Sequence, residues 1–550
     1  MAAFLLPSRA RRRLVAPVLL LVATLALLRP DAALAHALLV RADPAPESVV
    51  ARAPDVATVT FSEALNPVLT RVRVTDAAGR AVTPDTGHLA PGHGGMTWQL
   101  ALPSLAPGVY SVYWTSASAT DGHVRSSFYS FRVAPVGGAA RVGAAGGVGA
   151  PVAAGGAGFG AIMDAGSAAT AFFTWLGYLG QAAWLGALIV ELAVLAPARR
   201  APATPPGRLA LAAAPRLCWL ARGALTLALG ALLGEIVSLA VQATGGDWGA
   251  ALTRATLGGL FSGQNGRLLL ARQALLLAAL VLAGRVAAPA PSPAASPVPA
   301  RALGIVAPGS LSPLPLMLRW EVGRWPLALA ALAYLALVAL SGHAVTVGPG
   351  LISYPTDWLH LAGAAAWAGG IAALALAVLP ARAALAPAER APAVLPLLDR
   401  FSPVASLSVG LLALSGLYNA VVHVGAPATL VGTTYGQLLV VKLALVGVLI
   451  LLSASHVYRL RPRIARSQQS GAHDDRAVAA VHEGLATLAG WLRLEAGVGA
   501  AILLATALMT QTLPAPVAAT TAGGRPPPRR APRRRSPGRW PSATCAPGSR

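Results

Sequence analysis

Charge is scarce in this sequence. Only 11% of its 550 residues are Asp, Glu, Lys or Arg and 55% are hydrophobic, where a soluble domain averages about 25% charged. So few charges cannot cover a large water-facing surface, and composition alone points to a bilayer. Cysteine is scarcer still. Cys218 and Cys545 are too few and too far apart for a disulfide framework or a thiolate metal site. Lysine occurs once, as Lys442, so arginine carries the formal net charge of +23. An excess of positive charge raises nucleic acid as a partner. Here, however, arginine sits in short loops between apolar runs or beyond Pro514, and no common nucleic-acid-binding motif is present, so no nucleic acid is expected. No GxxxxGK[ST] segment occurs, which argues against ATP coupling within the chain.

What the sequence does have begins with the plan of a secretory signal. Arg9, Arg11, Arg12 and Arg13 precede the apolar stretch Leu14 to Leu28, and Ala33-Leu34-Ala35 forms a small-residue cleavage site. The alternative, a first membrane anchor, needs about 20 apolar residues, more than this stretch supplies. Cleavage after Ala35 leaves His36 as the first residue. Residues 36–134 read as an all-β soluble domain, a Greek-key barrel or sandwich. Runs such as Val56 to Phe61, Arg71 to Val74 and Val109 to Trp114 alternate between Pro, Gly and Asp turns. Residues 135–165, mostly Gly, Ala and Val, read as a flexible linker.

Residues 166–513 read as an all-α membrane bundle of about eight helices, with apolar runs near 168–196, 216–242, 267–284, 325–344, 357–379, 401–424, 437–456 and 495–513. Arginine sets the orientation. With the β-domain outside, the inner loops carry Arg199, Arg200 and Arg208 with Arg216 at the edge, then Arg285, Arg301, Arg319 and Arg324, then Arg382, Arg390 and Arg400, then Arg459, Arg461, Arg463, Arg466, Arg476 and Arg493. The outer loops hold Arg254, and Arg267 and Arg272 at the outer end of the third helix are the main exception. The expected location is the cytoplasmic (inner) membrane, with the N-terminal domain extracytoplasmic or periplasmic. Residues 514–550, rich in Pro and Arg, read as a disordered tail.

Three residues of the β-domain stand out. A mature N-terminal His36 offers its α-amine and ring Nδ1 as a chelate, and Asp121-Gly122-His123 adds a carboxylate and a second imidazole. Such a tetragonal N,O set suits Cu(II). The plain alternative is a surface histidine and a chance triplet. In the membrane domain His343, His360 and His423 end or begin helices on the outer side, Lys442 lies a turn or two inside the seventh, and Glu235 lies within the second. Polar groups there are costly, which makes them candidates for function, the plain alternative being interfacial histidines bonded to headgroups or neighbouring carbonyls.

These residues also carry a resemblance. His36-Ala37-Leu38-Leu39, Asp43-Pro44-Ala45, Val59 to Ala64, Leu105 to Trp114 and Ser118 to His123 resemble the CopC family in order. That implies a cupredoxin-like β-barrel binding Cu(II) through His36, Asp121 and His123, with Glu63 at an acidic position beside the site. Ser126 and Ser127 stand where the family usually has Gly. Met96 is the domain's only methionine, so the Met-rich Cu(I) site of some relatives is not expected. Ser341 to Ala344, Asp357 to Leu361, Trp367 to Gly370, Arg400 to Ser402, Gly416 and Thr434 to Lys442 resemble the CopD family of copper-transport membrane proteins. The two in one chain resemble the YcnJ-type fusion. The resemblance implies capture of Cu(II) outside and movement of copper across the membrane. The shared outer position of His343 and His360 makes them candidate copper ligands, with Cu(I) the candidate ion in the bundle, and the inside-negative potential makes inward the expected direction. His423 is a weaker candidate.

Copper resistance by sequestration outside the membrane is the first alternative. A haem-binding electron carrier using His343 and His360 is the second. An oxidative enzyme built on the N-terminal His brace is a third, but a small domain tethered to a large bundle argues against it, and the expectation is no enzyme. The expected partners are the copper ion, the lipid bilayer and an extracytoplasmic copper chaperone or reductase.

Overall fold

The computed structural model describes residues 37, 39–120, 122, 124–135, 165–285, 314–341, 350–424, 427–469 and 475–512. The expected signal segment, nearly all of the linker, the tail, and His36, Asp121, His123 and His343 lie outside the described residues.

Eight strands make two facing four-stranded sheets. One runs β1 (Leu39–Asp43), β3 (Val56–Phe61), β6 (Thr97–Ala101), β5 (His88–Leu89); the other runs β2 (Val49–Val50), β8 (Val124–Val133), β7 (Gly108–Ala117), β4 (Arg71–Thr75). Alternate residues point inward because a strand repeats every two residues. Ala57, Val59 and Phe61 of β3 and Val72 and Val74 of β4 are buried. They pack with Trp98, Val112, Trp114 and Phe131, and Phe61 meets the Trp114 ring edge-on at 5.3 Å. The Asp76 carboxylate closes the turn after β4, accepting from the backbone N–H groups of Arg80 and Ala78 at 2.9 Å each. The Arg80 N–H and guanidinium hold this carboxyl below its usual range.

The rest is helical. α1 (Ala165–Ile189) passes through a π-helical stretch, Val190–Leu195, to Arg199; α2 spans Pro205–Ala243, a short α3 spans Arg254–Ser262, and α4 spans Gln264–Arg285. α5 (Leu314–Leu340), α6 (Gly350–Ala364, continuing through two π-helical turns to Ala381), α7 (Pro387–Val424), α8 (Thr434–Ser455, continuing to Gln469) and α9 (Asp475–Thr510) follow. Local chemistry explains the starts. The Thr204 hydroxyl accepts from Gly207 N–H ahead of Pro205 and Pro206, which need no donor partner in a first turn. Among the described residues seven helices are long and apolar enough to cross a membrane, and Arg324–Leu340 of α5 is a shorter apolar helix. Each of the eight expected runs therefore falls mainly on a helix among the described residues, and seven of those helices meet the full length. Several helices extend beyond their runs at the arginine-bearing end. α7 continues back through Pro392, Pro396 and Pro403 to Pro387.

The inner loops are tied together there by ion pairs: Arg208 with Glu389, Arg461 with Asp399, and both Arg199 and Arg324 with the buried Glu191. The β-sandwich sits at the opposite end. Arg272, an exception to the charge asymmetry, is buried in the bundle. Its guanidinium lies 3.7 Å from the Glu235 carboxylate and donates to the Tyr334 hydroxyl at 3.4 Å. It is a compensated charge and no longer argues against the orientation.

Candidate functional site

One end of the sandwich gathers the sequence neighbours of the expected β-domain ligands. Ala37 is buried, and its carbonyl accepts from the Ser116 hydroxyl at 2.9 Å, near the end of β7. The β7–β8 turn folds tightly on itself: Gly122 N–H donates to Ser118 C=O at 3.0 Å, and Ala119 N–H to Ala64 C=O at 2.8 Å. Gly122 adopts φ +78°, a left-handed conformation that suits glycine. Glu63 is half-buried, and its Oε2 accepts from the Ser118 hydroxyl at 2.7 Å. Glu63 is thus fixed against the same turn. The residues next to His36, and the one between Asp121 and His123, share this end.

That end is seated on the bundle. The Asn66 amide donates to Gly259 C=O at 3.1 Å and to the Ser262 hydroxyl at 3.4 Å, both on α3. Gln264 N–H donates to Thr120 C=O at 3.3 Å. Gly122 lies against Gly263 so closely that a Cβ on Gly122 would stand 3.4 Å from Gly263 Cα. Leu69 and Ala117 of the β-domain bury their side chains in the same apolar cluster as Leu232 and Leu260 of the bundle.

A polar cluster lies in the outer half of the bundle, where α6, α7 and α8 meet. His360 Nδ1 is 3.0 Å from the Ser415 hydroxyl, and that hydroxyl donates its one proton to Leu411 C=O at 2.5 Å. Ser415 therefore accepts from His360 Nδ1–H, which leaves Nε2 with the lone pair a metal needs. Gly416 makes room for the ring, since a Cβ there would approach His360 Cε1 to 3.4 Å. One helical turn before His360, Asp357 is hydrogen-bonded by the Asn419 side chain and lies within electrostatic reach of Lys442 and Tyr435. Ser353 and Tyr418 share a hydroxyl hydrogen bond of 3.0 Å. His423 lies in α7 two turns beyond Ser415. Among the described residues no group of three or more His, Cys, Asp or Glu side chains is arranged to hold a metal.

Sequence reasoning named His360, Asp357 and Lys442 but not Ser415 or Asn419, whose signal was a polar residue inside a membrane span. It also passed over a buried pair at the inner end. His456 Nδ1 stands 2.6 Å from Glu495 Oε1, and the Ser453 hydroxyl donates to Glu495 Oε2 at 2.8 Å. These residues fall at the inner ends of apolar runs, where a helix boundary drew the attention.

Comparison with known proteins matches two segments. The CopC domain matches residues 39–134, and copper resistance protein D matches residues 395–509. The copper transport protein CutJ of Bacillus subtilis (strain 168) is 31% identical over 181 residues, which cover 32% of this chain and 28% of CutJ. The matched stretch thus spans little more than a quarter of that relative. The crystal structure of CopC from Methylosinus trichosporium OB3b is 28% identical over 18% of this chain and 95% of its own, with a TM-score of 0.17. With a match to the CopC domain ahead of the bundle and a match to copper resistance protein D within it, this multi-pass membrane protein is similar to both families over those segments, its CopC-like domain lying outside the membrane.

Proposed function

We infer that this protein captures Cu(II) outside the membrane and passes copper inward through its bundle. The observation that carries the reading is the seat: the β-sandwich rests on the bundle by the end that holds Ala37, Glu63 and Gly122. In this reading His36, exposed by cleavage after Ala35, joins Asp121 and His123 as Cu(II) ligands, with Glu63 beside them. Copper released there enters the bundle near His360, with His343 as its companion and His423 farther along. The name of CutJ and the copper families matched by both segments support copper as the cargo. The inside-negative potential favours entry of a cation by about 2.3 kcal/mol per charge per 100 mV.

Electron paramagnetic resonance of the full chain should show one tetragonal, nitrogen-rich Cu(II). Adding one residue before His36 should weaken binding sharply, because the chelate loses its amine. Radiocopper uptake should fall in His360→Ala while the Cu(II) spectrum persists. Unchanged affinity after the extension, together with normal uptake in His343→Ala/His360→Ala, would reject the reading.

A second reading, copper resistance by sequestration outside the membrane, draws on the description of the family matched at residues 395–509. The two predict opposite phenotypes. A deletion strain starved of cytoplasmic copper supports import, and one that becomes copper-sensitive with more cytoplasmic copper supports resistance.

A further inference from the structure

We propose that His456 is a second metal-ligating residue of the bundle, at its inner end, held in ligating orientation by Glu495. The proposal rests on the reading that copper passes through the bundle, and it concerns the end opposite to the β-domain.

Position comes first. α8 starts on the outer side at Thr434, and His456 opens the π-helical turn His456–Leu460 at its inner end. Arg459, Arg461 and Arg463 follow within the next two turns. π-Helical turns inside α-helices recur at functional sites, because the extra residue offsets one turn of side chains from the helix face.

Geometry comes second. Glu495 is 1% exposed and His456 is 9% exposed. A carboxylate that deep is tolerated only when its oxygens are bonded, and both are: Oε1 by the His456 ring at 2.6 Å, Oε2 by the Ser453 hydroxyl at 2.8 Å. A carboxylate only accepts, so His456 donates Nδ1–H to it. Nε2, on the far side of the ring, then carries the lone pair, and no described residue hydrogen-bonds it. A histidine whose Nδ1–H rests on a carboxylate is the usual arrangement of a metal-bound imidazole. The partner fixes the ring and makes the free nitrogen a stronger donor.

His360 repeats the logic with Ser415 in place of Glu495, so an imidazole oriented through its Nδ1 stands toward each side of the membrane. An imidazole in apolar surroundings selects borderline cations such as copper over Mg2+ or Ca2+, which need several oxygens. The arginines beyond His456 weaken the hold on any cation there, which suits a place of release.

The test uses the full chain in detergent, with His36→Ala, His123→Ala, His343→Ala and His360→Ala as background to silence the outer positions, and one equivalent of Cu(I) under anaerobic conditions. X-ray absorption should report imidazole scattering from the bound copper. His456→Asn keeps an amide donor toward Glu495 but has no ring nitrogen, so the fold is kept and the scattering is lost. Glu495→Gln should weaken binding by roughly 10- to 100-fold, the usual cost of removing such a partner. Copper bound with unchanged affinity and the same imidazole signal in His456→Asn would overturn the proposal. If no chain moves radiocopper, wild type included, the transport reading fails on its own and the imidazole signal still decides the role of His456.

Discussion

His360 is set by what its Nδ1 touches, and that can be tested one atom at a time. Ser415→Ala removes the acceptor, so Nδ1–H and Nε2–H tautomers both become populated. Copper uptake should drop about tenfold, at the low end for loss of a ligand's hydrogen-bond partner. Ser415→Thr restores a hydroxyl that can bond Leu411 C=O and should recover uptake. 15N chemical shifts of the His360 ring would show the tautomer directly, and an unchanged ring in Ser415→Ala would contradict the assignment. Tyr129 offers a test in the β-domain. Its hydroxyl is buried without a hydrogen-bond partner among the described residues, and burial first, then the nearby Asp43 charge, raises its pKa. A raised folded pKa means stability that is fully present below pH 10, the unfolded value, and is lost as pH climbs through the folded value. Tyr129→Phe removes both the orphan hydroxyl, a penalty of roughly 1–3 kcal/mol, and the alkaline loss. Hydrogen exchange of β7 and β8 amides in the full chain should show the variant at least as protected at pH 7 and flatter above pH 10. Much of this scale was legible beforehand. His360 and Lys442 announce themselves as polar groups in membrane settings, and Glu63 and Asp357 through the family resemblance, whereas Ser415 and Asn419 act only through partners on another helix, which spacing along one helix does not reveal.

Helices in this bundle approach one another through glycine and are locked by buried charge. Gly186 of α1 lies on Gly369, so near that a Cβ at Gly369 would overlap the backbone C=O of Ala182. The obstruction is backbone and cannot swing aside. Gly369→Ala should therefore separate the helices and cost at least the roughly 1–3 kcal/mol of an overpacked core, lowering the melting temperature in detergent. A melting curve matching wild type would mean the contact is looser than it stands. The Glu191 carboxylate bridges Arg199 and Arg324, linking α1 to α5 at the inner end. Glu191→Ala would remove the carboxylate that two buried guanidinium groups share, and breaking a buried pair typically costs about 3–5 kcal/mol. Limited proteolysis of the inner loops should report it, and equal protease resistance would refute it. Apolar runs located all eight helices because hydrophobic length is the dominant constraint in a bilayer. Their inner ends were not legible, because polar turns continue past the lipid boundary and Pro392, Pro396 and Pro403, read locally, argue against the helix they belong to. The meeting of Gly369 with Gly186 was not legible, because the two are 183 positions apart and nothing in local pattern pairs them.

At the scale of the molecule, strand alternation, the apolar runs and the arginine asymmetry together give a sandwich outside and a bundle within the membrane. The way the two meet was not legible. Asn66 and Gly259 are separated by 193 positions, and nothing in local pattern marks either as an interface. Yet the seat decides whether the sandwich works as an independent binder or as the loading end of the bundle. Among the described residues its contacts include two hydrogen bonds from Asn66, one from Gln264 to Thr120, the Gly122–Gly263 approach, and the packing of Leu69, Ala117 and Val124 against the bundle. A net hydrogen bond is worth about 1 kcal/mol, so Asn66→Ala alone loosens the seat without abolishing it. Gly259 is the stronger lever. A Cβ there would press on Leu69 and Val68 at 3.3 Å, and a larger side chain has nowhere to go while the domains stay together. Gly259→Trp should lift the sandwich away, raising hydrogen exchange at Val68–Thr70 and along Arg254–Ser262 while the β-sheet core keeps its protection. Gly259 contributes no ligand, so the Cu(II) spectrum of the released domain should match wild type. Copper delivery to the bundle should then fall, because the metal must leave a released domain into bulk water before it reaches α6. If exchange shows the domain released and radiocopper uptake is undiminished, transfer does not run through the seat, and the β-domain binds copper for a purpose separate from the bundle.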